Sequence, residues 1–393
     1  MEQVSSLDVS GGGSSTQAAA LIPVYGVWAS EVGPLLSLGM LSAAARAWRG
    51  GILEERYEIR RPETVDSFLH DLAGRPGPAV LLCSNYVWSL ANNLRAASEG
   101  RLINEQLLVV HGGPSTPKYD EDVARFFEEH HGIADVLVHG EGEETLCELL
   151  AALVQAGAFD PRSEALAAVD GISFRGGRSG ELVRTNERAR IADLDSLPSP
   201  YLTGEFDHID PEAWGYFMPM ETSRGCPYGC TFCDWGSDTM SRLRRFSLDR
   251  VGAELQWAAD HGILSVHLTD ANFGITSRDV DVARVLAEVH RATGRPHTLT
   301  WSAAKNTTRH LIEIMDLLEE SGVASTTSLS LQTTDPDTLD AVARSNISTE
   351  RYTELAGHWR RRGHPVMAEV MVGLPGQTMA SFKRDVQFLV DRE

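Results

Sequence analysis

The sequence predicts an α/β chain: an N-terminal doubly wound parallel sheet, followed by a partial β/α barrel that stops before its last strand. Three observations lead there. Short apolar runs alternate with amphipathic, helix-length stretches over residues 20–157 and again from 217 onward; strand, helix, strand at that spacing means parallel sheets covered on their faces. The alternation breaks between 158 and 215. Finally, 393 residues, 42% of them hydrophobic, suffice for two separate cores.

Residues 1–19 are rich in Ser, Gly and Gln and are expected to be disordered. The first domain (20–157) has strand-like runs at 21–25, 53–59, 79–83, 107–111 and 135–139, with helices expected near 33–48, 63–72, 88–99, 120–131 and 144–156. Five such units make a doubly wound sheet, whose ligands bind at the carboxyl ends of the strands. Within 158–215, two short runs at 171–175 and 181–185 flank a Gly-Gly-Arg-Ser-Gly stretch and read as a hairpin. The segment DLDSLPSPY at 193–201, with two prolines and no periodicity, reads as an interdomain connection. The second domain (216–393) has strands expected at 217–222, 263–269, 298–302, 326–331 and 366–372. Its helix over 309–320 puts Leu311, Ile314, Met315 and Leu318 on one face, with Gly322 as its C-cap. A final helix is expected over 381–392. A barrel normally closes with a further strand, so the chain is expected to be truncated, or completed by another chain.

Lys plus Arg number 35 against 55 for Asp plus Glu, a formal net charge of −20. Phosphate affinity comes from concentrated cations, so no nucleic-acid or anionic-lipid partner is expected. No apolar run approaches the roughly 20 residues of a membrane helix, and the first residues carry no basic, then apolar, leader. Five cysteines in a chain of this size are no secreted disulfide scaffold. The expectation is a soluble cytoplasmic protein.

Three of those cysteines carry chemistry. In ETSRGCPYGCTFCDWG, Cys226, Cys230 and Cys233 form a C-x3-C-x2-C array directly after the first strand of the second domain. Three thiolates on one tight loop can hold three irons of a [4Fe–4S] cluster and leave the fourth open to another ligand. Gly225, Pro227 and Gly229 let the loop wrap, and Phe232 supplies an apolar wall. The alternative, a structural zinc site, wants four closed ligands; Cys83 and Cys147 lie in the other domain, and no His occurs between Cys226 and Cys233.

This array after the first strand of a partial (β/α)6 barrel resembles the radical S-adenosylmethionine (SAM) superfamily, from Phe217 onward. The resemblance implies that the open iron is chelated by the amino and carboxylate groups of SAM. It implies further SAM contacts from Phe232, from Asp270 and Asn272 after the second strand, from Ser330 and Gln332 ending the fourth, and from Met371 on the fifth. Asp270-Ala271-Asn272 departs from the commonest Gly-Gly-Glu form of that segment. Each position also has a local reading: Asn272 as a turn, Gln332 as a helix cap, Met371 as core. Trp301, Lys305 and Asn306, after the third strand, could touch substrate.

In the first domain, VHGGPS (110–115) and VHGEGEE (138–144) each follow a strand. Glycine there lets a ligand come close, although neither is a dinucleotide or P-loop fingerprint. Together with the cysteine motif the pair resembles the Rossmann-like cobalamin-binding domain that precedes many radical SAM enzymes. That resemblance implies that Gly112, Gly113, Pro114 and Ser115, with Gly140, Glu141 and Gly142, line the nucleotide tail and corrin edge. It places Ser84, Asn85, Tyr86 and Trp88 below the corrin, Trp88 being readable also as core. No Asp-x-His-x-x-Gly supplies an axial histidine, which leaves the lower cobalt face weakly ligated. His111 and His139 read as packing, and Cys83 and Cys147 as buried hydrophobes.

The resemblance thus implies a cobalamin-dependent radical SAM methyltransferase. Its cofactors would be a [4Fe–4S] cluster, SAM and cobalamin, its partners a small-molecule or peptide substrate and an external one-electron reductant of flavodoxin or ferredoxin type. Radical cyclisation or rearrangement, polar C-methylation with Asp270 approaching the open iron, and a non-catalytic cobalamin or iron–sulfur sensor are the alternatives.

Overall fold

A computed structural model describes residues 20–27, 29–30, 33–155, 158–160, 163–176, 180–208, 210–212, 215, 217–233, 241–305, 307–364 and 366–392. The expected disorder of residues 1–19, and the expectation for Asn306, concern positions outside these.

The first sheet is built from β1 (Ile22–Gly26), β2 (Tyr57–Arg60), β3 (Ala79–Ser84), β4 (Leu107–Gly112) and β5 (Val136–Val138), in the spatial order 2-1-3-4-5 and parallel throughout. The order reverses between β1 and β3, so the crevice of this doubly wound sheet opens beside Gly26 and Ser84. The strand expected over 53–59 is halved: Ile52–Glu55 forms a 3-10 turn and only Tyr57 onward extends. Both faces are covered. Helices α1 (Leu36–Ala47) and α5 (Gly142–Leu153) pack on one, with Val24, Val80, Leu108 and Leu149 in its core. Helices α2 (Val65–Ala73) and α3 (Leu90–Ile103) pack on the other, over Tyr25, Leu81 and Val109. The near-continuous burial of β3 and β4 is what a strand covered on both sides requires.

The hairpin is present as β6 (Ile172–Gly176) and β7 (Glu181–Arg184), but it does not stand between the domains. β6 pairs antiparallel with β5 and makes a seven-stranded sheet. The connection after it is likewise a packed wedge: Leu194, Leu197, Tyr201 and Phe206 are buried in one core with Leu38 and Met40 of α1 and Met218 and Met220 of the second domain. Tyr201 donates its hydroxyl to the Pro219 carbonyl. Proline and aperiodicity hid this because the apolar residues of the connection face two domains in turn and follow no single period.

The second sheet has β8 (Phe217–Met220), β11 (Ser265–Leu268), β12 (Thr298–Ser302), β13 (Ala324–Gln332) and β14 (Val366–Val370), all parallel and in chain order. Between β8 and β11 a short ribbon, β9 (Ser223–Arg224) against β10 (Arg244–Arg245), closes the base of the cysteine-bearing segment. Among the described residues the sheet is an open arc, not a closed barrel. Helix α8 (Arg309–Ser321) buries the four predicted residues almost completely and ends on left-handed Gly322. Among the described residues, no helix is long and apolar enough to cross a membrane.

Candidate active site

The cysteine segment leaves β8 at the C-terminal edge of the second sheet. Cys226 and Cys230 are buried and Cys233 is half-buried. Gly225 starts the loop at φ 114°, and a side chain there would meet the Arg242 carbonyl at 2.5 Å, so only glycine permits this entry. Three backbone bonds fix the course of the loop: Ser241 N to Cys226 O (2.9 Å), Cys233 N to Cys230 O (3.0 Å) and Thr231 N to Val342 O (3.0 Å).

Asn272 stands against the loop, 5% exposed. Its Nδ2 donates to Cys226 Sγ at 3.2 Å, while its buried Oδ1 has no partner. A buried carbonyl left without a donor is costly, and this one belongs to the amide that bonds the Cys226 thiol. The donor set therefore fits a cluster with an amino-bearing ligand. Asp270 serves differently from the expectation. Its carboxylate, 2% exposed, accepts from Thr222 N (2.7 Å), Thr222 Oγ1 (2.5 Å), Ser223 N (3.2 Å) and Ser223 Oγ (2.9 Å). Both oxygens are committed to the strand that enters the cysteine loop, so Asp270 tethers that strand. Burial raises its pKa, against those four donors.

Arg344 was not foreseen. It is buried, its Nη1 lies 3.9 Å from Cys230 Sγ, its guanidinium sits 5.8 Å from the Phe232 ring centre, and it donates to the Ser330 carbonyl and to Asn346 Oδ1 (2.7 Å). A cation here offsets thiolate charge and orients the loop. Burial depresses its pKa, against the attraction of the three cysteines. A cavity of about 230 Å³ between Lys305, Arg344 and Pro227–Cys230 opens beside it. Gln332 ends β13 in a left-handed conformation, φ 65°, at a register shift; such backbone strain, of order 1–3 kcal/mol, clusters at ligand sites. Met371 N donates to Gln332 O at 2.8 Å, and Ser330 donates to Glu369. Ser330, Gln332, Phe232 and Met371 are all half-buried on this one edge. Trp301 is not: it is fully buried, with Nε1 bonded to Ser325 Oγ at 2.8 Å, and packs as core.

At the ends of the first sheet the predicted residues divide. Gly113, exposed at φ 90°, lies so close to Asn85 that a side chain would meet its carbonyl oxygen at 2.8 Å; Gly140, exposed at φ 80°, faces open space. Gly112, Pro114, Ser115 and Gly142 are half-buried around them. Trp88, 56% exposed, stacks on Tyr86 at 4.8 Å and 12°, so Trp88 is no core residue and offers a flat apolar face. Asn85 is fully engaged. Its Nδ2 bonds His111 Nδ1 and Thr116 Oγ1, each at 3.1 Å, and its Oδ1 accepts from Asn93 at 2.9 Å. Ser84 Oγ bonds Ser37 Oγ at 2.8 Å.

Glu141 differs from the expectation most. Its Oε1 accepts from Arg244 Nη1 (2.7 Å) and lies 3.4 Å from Arg224 Nη1, and its Oε2 accepts from Arg244 Nη1 (2.9 Å) and Ile191 N (2.7 Å). Arg224 also reaches Glu143 (2.6 Å) and Glu221 (2.9 Å). Burial works against the Arg224 charge, but Glu221 and Glu143 hold its pKa well above the usual value; burial pushes Glu221 up to about 7. The cysteine segment is thus tied to the Gly140 turn by a buried ionic network.

Residues 220–389 match the radical SAM superfamily model. This segment belongs to the radical SAM superfamily. The chain is 36% identical to a 2-(S-pantetheinyl)-carbapenam-3-carboxylate methyltransferase of Streptantibioticus cattleyicolor, over 85% of this chain and 48% of that protein. It is 35% identical, over the same shares, to the cobalamin-dependent radical SAM methyltransferase TokK of Streptomyces tokunonensis. The chain therefore spans about half the length of these curated relatives. In fold it is similar to the radical SAM methyltransferase TsrM of Kitasatospora setae, solved with cobalamin and a [4Fe–4S] cluster: TM-score 0.69 at 19% identity, over 94% of this chain and 70% of that one.

Within this radical SAM framework, sequence reasoning missed Arg344 and Arg224, and read Arg244, in a run with Arg242 and Arg245, as a solvated face, whereas its side chain is 10% exposed. An isolated VARSN and an RLRR run carry no spacing signal, and their partners lie up to 114 residues away.

Proposed function

We propose that this radical SAM chain carries the cofactor-binding part of a cobalamin-dependent methyltransferase that methylates a carbon atom of a small molecule. In this reading residues 216–393 hold a [4Fe–4S] cluster through Cys226, Cys230 and Cys233 and bind SAM with Asn272, Ser330, Gln332, Phe232 and Met371. Residues 20–157 hold cobalamin over Gly112–Ser115, Gly140 and Gly142, with Tyr86 and Trp88 facing the ring. When bound, these groups supply one-electron cleavage of SAM and methyl delivery. The chain's own residues shape the chamber: Asp270 fixes the strand entering the cysteine loop, Arg344 sets the electrostatics at Cys230, and Asn272 offers its carbonyl to the SAM amine.

The observation that carries this reading is Asn272, buried against Cys226 with its carbonyl unpartnered at the C-terminal edge of a parallel sheet. The named relatives support a small-molecule substrate; the tryptophan bound in a TsrM structure is of the same class. An external low-potential reductant completes the scheme.

Anaerobic reconstitution with iron, sulfide and hydroxocobalamin tests it. The expected result is a [4Fe–4S] spectrum that disappears when any of Cys226, Cys230 or Cys233 becomes Ala, together with 5′-deoxyadenosine when SAM and dithionite are added. A protein that takes up no cluster would overturn the reading.

A further inference from the structure

The ribbon that closes the cysteine segment sets two arginines directly opposite each other, Arg224 against Arg244. Like charges across a two-stranded pair repel, so this base would splay if left alone. What holds it is a carboxylate from the other domain. Glu141 stands between β5 and α5, on the turn that begins with Gly140, and meets both guanidinium groups with its two oxygens. Glu143, one residue into α5, takes a second nitrogen of Arg224. The side chains of Glu141, Glu143, Arg224 and Arg244 are each at most 10% exposed. Arg224 itself is two residues from Cys226.

We propose that this clamp makes the two cofactor sites one thermodynamic unit, with Glu141 as the positioning residue: ordering the cysteine segment around its cluster fixes the Gly140 turn, and filling the glycine loops fixes the ribbon. This coupling rests on the reading that the glycine loops hold cobalamin. It goes beyond that reading because it removes Glu141 from the ligand contacts and gives it a task between the sites. Coupling of this kind is reciprocal. The shared element is a salt-bridged turn that cannot be well placed for one site while disordered at the other.

The test measures hydroxocobalamin affinity of the full chain, by its visible spectrum, with the cluster reconstituted and with the cluster removed by chelation. In the wild type, cluster loading tightens binding about fivefold or more. In Glu141→Gln, and independently in Arg244→Gln on the opposite side of the clamp, the ratio falls to within about twofold of one. Cluster-free Glu141→Gln keeps the wild-type affinity, because the carboxylate oxygens already serve protein donors. The reciprocal readout is the rate of iron loss to a chelator, which hydroxocobalamin slows in the wild type and not in either variant. A wild-type ratio of one, or a ratio preserved in both variants, overturns the coupling. Loss of affinity in cluster-free Glu141→Gln overturns it too, and restores Glu141 as a ligand contact. Wild-type protein that binds no hydroxocobalamin in either form overturns the underlying cofactor reading as well, which separates the two failures.

Discussion

At the C-terminal ends of the two sheets, Asn85 and Asn272 are both buried, yet their amides do opposite things. Asn85 bonds His111, Thr116 and Asn93, and its backbone N–H reaches Gly112; nothing on it remains to bind a ligand. Asn272 gives its amide protons to a cysteine and keeps its carbonyl unpartnered. In the proposed reading the first sheet would offer backbone and ring faces, since Asn85 is satisfied internally, and the second would offer the unpartnered Asn272 carbonyl. Residue type is the same and both follow a parallel strand, Asn85 directly and Asn272 four residues on; the neighbours distinguish a satisfied amide from an unsatisfied one.

The largest expected effect probes the internally satisfied side by pH. Burial holds His111 and His139 near pKa 4, well below 6.5. Both are neutral in the fold, so their contribution is complete above pH 6.5 and is withdrawn as the pH falls toward 4. At pH 4.5 the loss is on the order of 2 kcal/mol for His111 and less for the more exposed His139, and hydrogen exchange should report the first sheet opening before the second. Next, Asn85→Ala leaves buried partners unpaired and should cost about 2–4 kcal/mol of stability. Thermal unfolding checks this, with hydroxocobalamin affinity of the folded protein expected to stay within about twofold. Loss of affinity at unchanged stability would erase the contrast. Asn272→Ala should do the reverse, weakening SAM binding roughly 10–100-fold in equilibrium dialysis with cluster iron retained. The smallest effect sharpens the first site alone: Trp88→Ala should lower hydroxocobalamin affinity about tenfold without changing the melting temperature.

Much of this was legible in the residues. The three cysteines announce themselves by spacing, and α8 by its apolar face, because both are local patterns. The 171–185 hairpin was legible as a hairpin, but its pairing with β5 was not, since an antiparallel edge strand carries no signature of which sheet it joins. Glu141 is counted with the glycine turn because the resemblance to cobalamin-binding domains implies it there. Its arginines lie 83 and 103 residues further on, a distance at which charge pairing cannot be read from sequence. For Asp270 the hydrogen bonds of its oxygens to Thr222 and Ser223, 48 and 47 residues earlier, were likewise not legible.

The outer strand of the second sheet, Val366–Val370, pairs on one side with β13 and on the other with none of the described strands. Its Met367 is well exposed, as are Val372 just beyond it and Val386 and Val390 of the helix that follows. A segment laid along this edge would be held by main-chain hydrogen bonds, which are indifferent to side-chain identity. Such a seam tolerates wide change in whatever is joined to it. The cysteine loop and its tether at Asp270 are held by bonds to Thr222, Ser223 and the β9–β10 ribbon, on strands away from this edge.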